Sequence, residues 1–149
     1  MNLKNYTSEV PASKSMGLIT EMLVEIGASN INMQYKDKVC VGITFLIFDS
    51  KVNQTIPFHL KVRSEECFNI LWKQIKKPIE GTRERLIEQA NRTSWKILSD
   101  WVQIQCSMIM LGQAEPLQMF LPFVYDVKND ETFYDKVVNG KAQLMLTTG

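Results

Sequence analysis

The sequence predicts an α+β fold, with a small antiparallel sheet in β-α-β-β-β order followed by helices, one of them long and central. Three observations carry this. Up to residue 63 the apolar residues alternate or run in short blocks, as half-buried and central strands do. From Ser64 onward they recur at three- and four-residue steps, the helical period. One such stretch, from Thr82 to Leu111, lasts about 29 residues, or roughly 44 Å at 1.5 Å per residue.

Leu3 to Val10 reads as a short strand with Tyr6, Ser8 and Val10 on one face. Pro11 ends it. Ser13 is the expected N-cap of a helix whose apolar positions are Met16, Ile19, Met22, Leu23 and Ile26, and Gly27 closes that helix. Ile31 to Tyr35 and Val39 to Phe48 flank the polar turn Lys36-Asp37-Lys38, and VCVGITFLIF is apolar enough for a central strand. In Ile56 to Val62 the apolar residues alternate with Pro57, His59 and Lys61, which predicts a strand buried on one face; Pro57 argues for the sheet edge.

A helix with Phe68, Leu71, Trp72 and Ile75 on one side follows, until Pro78 and Gly81 break the chain. The long helix is expected to be capped by Thr82 and closed by Gly112. It carries two apolar seams: Leu86, Ala90, Ile97, Trp101, Ile104 and Met108 form one, and Trp95, Leu98, Val102, Cys106 and Ile109 the next. So wide an arc needs contacts on two sides. One side should cover the sheet, and the other is either capped by the C-terminal segment Pro116 to Tyr134 or left for another subunit, with Trp95, Val102 and Ile109 as the candidate homo-oligomer interface. A short helix from Thr132 to Val138 and a tail from Asn139, either frayed or docked as an exchanged arm, complete one domain over residues 1–149.

The formal charge of +1 creates no global field for DNA or an anionic membrane, yet the charge is polarised. Between Lys61 and Lys96 stand nine basic and five acidic residues; the remainder holds eight basic and eleven acidic. The stretch KQIKKPIEGTRER should project Lys73, Lys76, Lys77, Arg83 and Arg85 from one end of two helices, a candidate contact for phosphates or nucleic acid. A second candidate anion site is the first helix's N-terminus, with Ser13, Lys14 and Ser15. No glycine-rich Walker loop accompanies it. The plain readings are solvated lysines and a simple cap.

No catalytic or metal constellation is legible, and no cofactor is expected. His59 is the only histidine and falls on the side of its strand opposite Phe58 and Leu60, so it is expected to face solvent. Cys40, Cys67 and Cys106 are odd in number and widely spaced, as reduced thiols of a cytosolic protein would be. Glu65-Glu66 and Asp130-Glu131 are explained as acidic residues at helix starts. MNLKNYTSEV lacks the basic and apolar regions of a signal peptide, and no apolar run is long enough to span a membrane, so neither export nor membrane insertion is expected.

Ser13-Lys14-Ser15, the helix ending in Gly27-Ala28, Val41-Gly42-Ile43-x-Phe45, the helix bearing Trp95 and Trp101 to Leu111-Gly112, and Phe120-Leu121-Pro122 follow in an order that resembles a group of small uncharacterised phage and prophage proteins. The resemblance implies an accessory protein of a mobile element in the host cytoplasm; the group has no established activity to transfer. Three function classes follow. The first is a non-enzymatic binder, either a counter-defence inhibitor of a host protein or a ligand-sequestering protein. The second is a nucleic-acid-associated factor of replication or recombination. The third, an enzyme, lacks its constellation.

Overall fold

The computed structural model describes residues 1–143. Its elements run α1 (Ala12–Glu25), β1 (Ser29–Lys36), β2 (Val39–Asp49), β3 (Gln54–Lys61), α2 (Ser64–Lys73), α3 (Thr82–Met110), α4 (Pro116–Phe120), a 3-10 turn (Leu121–Phe123), β4 (Tyr125–Asp126), β5 (Glu131–Thr132) and α5 (Phe133–Val138). The three-stranded antiparallel sheet has the order β1-β2-β3, and β4 and β5 form a separate two-stranded hairpin. This is an α+β architecture. The expectation for an exchanged arm falls mainly on residues 144–149, outside those described.

Local chemistry explains most boundaries. Helix α1 ends in a Schellman motif: Gly27, at φ 101°, donates its N–H to Val24 O and Ala28 donates to Leu23 O. Gly112, at φ 72°, closes the 29-residue helix α3 in the same way, with Gly112 bonding Ile109 O and Gln113 bonding Met108 O. The β1–β2 hairpin turns on Asp37 and Lys38, both at positive φ, as a two-residue type I′ turn demands. Pro57 sits on β3, which is an edge strand because only β2 pairs along its length.

One face of the sheet is the core. Ile43, Phe45 and Ile47 of β2 and Phe58 and Leu60 of β3 bury there against Ile19 and Leu23 of α1 and Trp95, Val102 and Cys106 of α3. Phe120 enters the same core, its ring 5.6 Å from that of Phe45 and 5.9 Å from that of Phe58. A smaller cluster of Cys67, Leu71 and Ala90 holds α2 on α3.

The first expected strand does not form. Residues 4–7 make a turn with Asn5 at φ 61°, so the order is α-β-β-β rather than β-α-β-β-β. The main-chain acceptors that a sheet would have used go to side chains of α3. Thr93 donates to Asn5 O at 2.8 Å, Gln89 to Ser8 O at 2.9 Å, and Arg92 to Ser8 O at 3.1 Å. Asp100 completes the strap by accepting from Asn5 Nδ2 at 2.8 Å and pairing with Lys96 at 2.7 Å and Lys4 at 3.1 Å.

Burial pushes the Asp100 carboxyl up, but the hydrogen bonds from Lys96, Asn5 and Lys4 outweigh it and hold the group at about 2. Because the folded value lies below the ordinary 3.8, the stabilisation is complete above about pH 4 and is lost as pH falls towards 2. Asp100→Asn is expected to cost roughly 1–2 kcal/mol at pH 7, after allowing for solvent screening at Lys4. Urea midpoints of wild type and variant should converge at pH 2; a gap that persists there would refute the charge-based account.

Candidate binding surfaces

The basic tip assembles as its sequence suggests. Lys73 closes α2, residues 74–81 connect, and α3 opens with Arg83 and Arg85 in its first turn. The connection is not loose at its base. Thr82, expected as the cap, is instead the first residue of α3 behind Gly81, and its buried hydroxyl accepts from Ile79 N at 3.0 Å. Arg83 lies over the Phe68 ring, 5.1 Å from its centre, and Phe68 stacks on Trp72 at 5.8 Å. Lys73, Lys76, Lys77, Arg83 and Arg85 are all exposed, and none has a carboxylate in ion-pair reach among the described residues.

The second candidate comes apart. Pro11, not Ser13, occupies the N-cap position of α1, and its carbonyl accepts from both Lys14 N at 3.0 Å and Ser15 N at 3.3 Å. Ser13 and Lys14 are exposed, whereas Ser15 is fully buried with an unpartnered hydroxyl. At 100° per residue, positions two apart point to nearly opposite sides of a helix. Ser15 therefore takes no part in a surface site with its neighbours.

The expected interface is also overturned. Trp95 and Val102 are fully buried within the single chain and Ile109 is half-buried against the same core, so this seam covers the sheet and α1. The apolar surplus lies on the other seam. Ile97 and Trp101 are half-buried and Ile104 is 59% exposed. The three thiols are buried and free, and burial raises all of them, Cys106 to about 11, which leaves them protonated and poorly nucleophilic.

The largest departure concerns His59. It points to the outer face of the sheet, as the alternation requires, but that face is not bare. After Phe120 the chain passes around the β3 edge, with Val124 bridged to Phe58, and lays β4 and β5 over the outer side. His59 is consequently only 8% exposed, its ring 4.6 Å from the Tyr125 ring in an edge-on arrangement. Tyr125 is held in turn by donating its hydroxyl to Asp130 at 2.5 Å. Burial lowers the imidazole's pKa, Lys61 lowers it further, and Asp130 and Asp135 pull the other way. The ring is therefore neutral at pH 7. No local signal revealed this cover, because its residues lie some sixty positions downstream.

A cleft of about 360 Å³ opens between His59, Lys61 and Arg63 on one side and Phe123, Thr132 and Tyr134 on the other. A neighbouring groove of about 650 Å³ shares His59, Lys61 and Arg63 with it and reaches Gln34 and Tyr125. Glu65 and Glu66, as expected, stand in the first turn of α2. Asp130 and Glu131 do not open a helix: Asp130 sits in the β4–β5 turn at φ 51°, and α5 begins behind its cap Thr132. Among the described residues, no group of three or more His, Cys, Asp or Glu side chains is placed to hold a metal ion, and no helix is long and apolar enough to cross a membrane. No family model, curated protein or solved structure matches this chain.

Proposed function

We propose that this chain is a non-enzymatic accessory protein of a phage or other mobile element that acts in the host cytoplasm by stoichiometric binding of an anionic partner through its basic tip. One observation carries the reading. Five exposed cations (Lys73, Lys76, Lys77, Arg83 and Arg85) converge on the end of one helix pair, against only Glu80 and Glu84 between 73 and 85, and none is neutralised by an ion pair among the described residues. Surface cations elsewhere in the fold, such as Lys51, Lys136 and Lys141, do pair with carboxylates. A cluster left unpaired on a turn anchored by Thr82 offers an acidic surface a fixed pattern of charge, which raises encounter rates and sets register.

A nucleic-acid backbone is the second reading, favoured by the local surplus of nine basic over five acidic residues from Lys61 to Lys96. Retention on columns carrying duplex DNA or an acidic polypeptide separates the two, because binding to nucleic acid releases counterions and falls linearly in log affinity with log salt. Replacing Lys76, Lys77, Arg83 and Arg85 together by alanine is expected to reduce retention at least tenfold, with thermal stability nearly unchanged at these exposed positions. Retention that survives the quadruple replacement would reject the tip as the contact.

A further inference from the structure

We infer that the anionic partner of the basic tip is a lipid surface, which the turn between α2 and α3 meets by placing Ile79 among anionic headgroups with the five cations around it; this rests on the tip being the contact. No spanning segment is involved. Every residue from Lys76 to Gly81 is exposed, and Ile79 is the one large aliphatic side chain in that run, at 72% exposure. The backbone that carries it is fixed. Ile79 donates its N–H to the Thr82 hydroxyl at 3.0 Å, Thr82 returns its own N–H to Ile79 O at 3.1 Å, and Thr82 is buried beneath them. Gly81, at φ 83°, turns the chain into α3. The apolar side chain is therefore presented outward on a pre-ordered turn, so little backbone freedom is lost when it meets a partner.

The charges frame that side chain. Lys76 and Lys77 immediately precede Pro78 and Ile79, Lys73 closes α2, and Arg83 and Arg85 stand in the first turn of α3. Glu80 and Glu84 are the carboxylates of the same stretch, which leaves three cations in excess. The next ones stand back from the turn: Glu65 lies in the first turn of α2, at its far end, and Glu88 lies more than a turn into α3, both lining a groove with Phe68 and Ile87. An aliphatic side chain ringed by cations is complemented by negative charge with an apolar layer directly behind it. Nucleic-acid phosphates supply the charge without the layer, and an acidic polypeptide supplies the layer only where it has a socket shaped for isoleucine. An anionic bilayer supplies both from any approach. Neither feature suffices alone, because one small apolar anchor holds a membrane marginally, whereas an anchor joined to a polybasic patch gives two signals that act together.

Full-length protein mixed with vesicles of equimolar phosphatidylglycerol and phosphatidylcholine is expected to sediment with them. Partitioning should be at least tenfold stronger than onto pure phosphatidylcholine and should fall as salt is added. Ile79→Ser, at an exposed position that leaves the turn's backbone bonds in place, should weaken vesicle partitioning at least fivefold, and Ile79→Leu should preserve it. Retention of Ile79→Ser on the acidic-polypeptide and DNA columns should match wild type, because those columns read charge alone. The two readings fail differently. Columns that still retain the quadruple alanine variant reject the tip as the contact. Columns that require the tip while anionic vesicles bind no better than neutral ones, or vesicles that bind Ile79→Ser as well as wild type, leave the tip standing and overturn the lipid surface. An equal loss by Ile79→Ser on the polypeptide or DNA column also overturns it, and assigns Ile79 to a protein socket or to a wedge between bases.

Discussion

Trp95→Ala is expected to cost about 3–5 kcal/mol, the range for removing a fully buried large aromatic side chain. Trp95 is 0% exposed and shares one core with Ile19, Leu23, Ile43 and Phe58, so the cavity would open where α1, α3 and the sheet meet. A domain of ordinary stability holds only about 5–15 kcal/mol in all, so the variant should be close to unfolding. The indole N–H adds a second, testable detail. It is buried without an acceptor, so Trp95→Phe removes an unsatisfied donor along with some volume and should recover most of the loss. Urea denaturation read by circular dichroism measures both, with the midpoint falling and the slope unchanged if only stability is altered. The experiment also separates a core residue from an assembly contact. A stability loss that depended on protein concentration would return Trp95 to an interface; a constant loss keeps it in the core.

The two seams of α3 show where sequence reading runs out. Period alone told that the helix carries a wide apolar arc, and the arc is real: Trp95, Val102 and Cys106 bury while Ile104 stays 59% exposed. It could not tell which seam meets the sheet, because Trp95 and Trp101 are equally apolar and only tertiary packing distinguishes them. Local punctuation was far more legible. Gly27, Gly112 and the Asp37-Lys38 turn each answer a backbone demand that few other residues meet at low cost, so they marked element ends correctly. The segment from Leu3 to Val10 misled because its alternation is a local signal, whereas the partners that claim its carbonyls, Gln89, Arg92 and Thr93, lie some eighty residues away. Their spacing along α3, continued by Lys96 and Asp100, is itself a helical stripe that reads as solvated until the strap is seen on it. The basic tip was legible because its residues are neighbours in the chain, and the His59 cleft was not because half of its wall comes from beyond Phe120.

Phe120→Ala is expected to cost a similar 3–5 kcal/mol and to have a consequence on the opposite side of the sheet. Phe120 is fully buried on the core face and sits edge-on to Phe45, Phe58 and Trp101 at 5.6, 5.9 and 5.9 Å. It is the anchor from which the chain turns around β3, past Phe123 packed on Trp101 of α3 at 5.4 Å, to cover the outer face, where Tyr125 meets His59. Losing the anchor should therefore loosen the cover before the sheet itself opens, so amides of residues 124–138 should exchange faster than those of β2. His59 reports the same event independently. Its pKa is lowered chiefly by burial, so a loosened cover should let it rise towards 6.5 in an NMR titration between pH 5 and 8. Because a depressed histidine pKa favours the folded state least at low pH, the wild type should lose stability on acidification through that window, and the variant, already hydrated at His59, should lose less. An imidazole titration identical in the two proteins would mean that the β4–β5 cover is held by contacts other than Phe120.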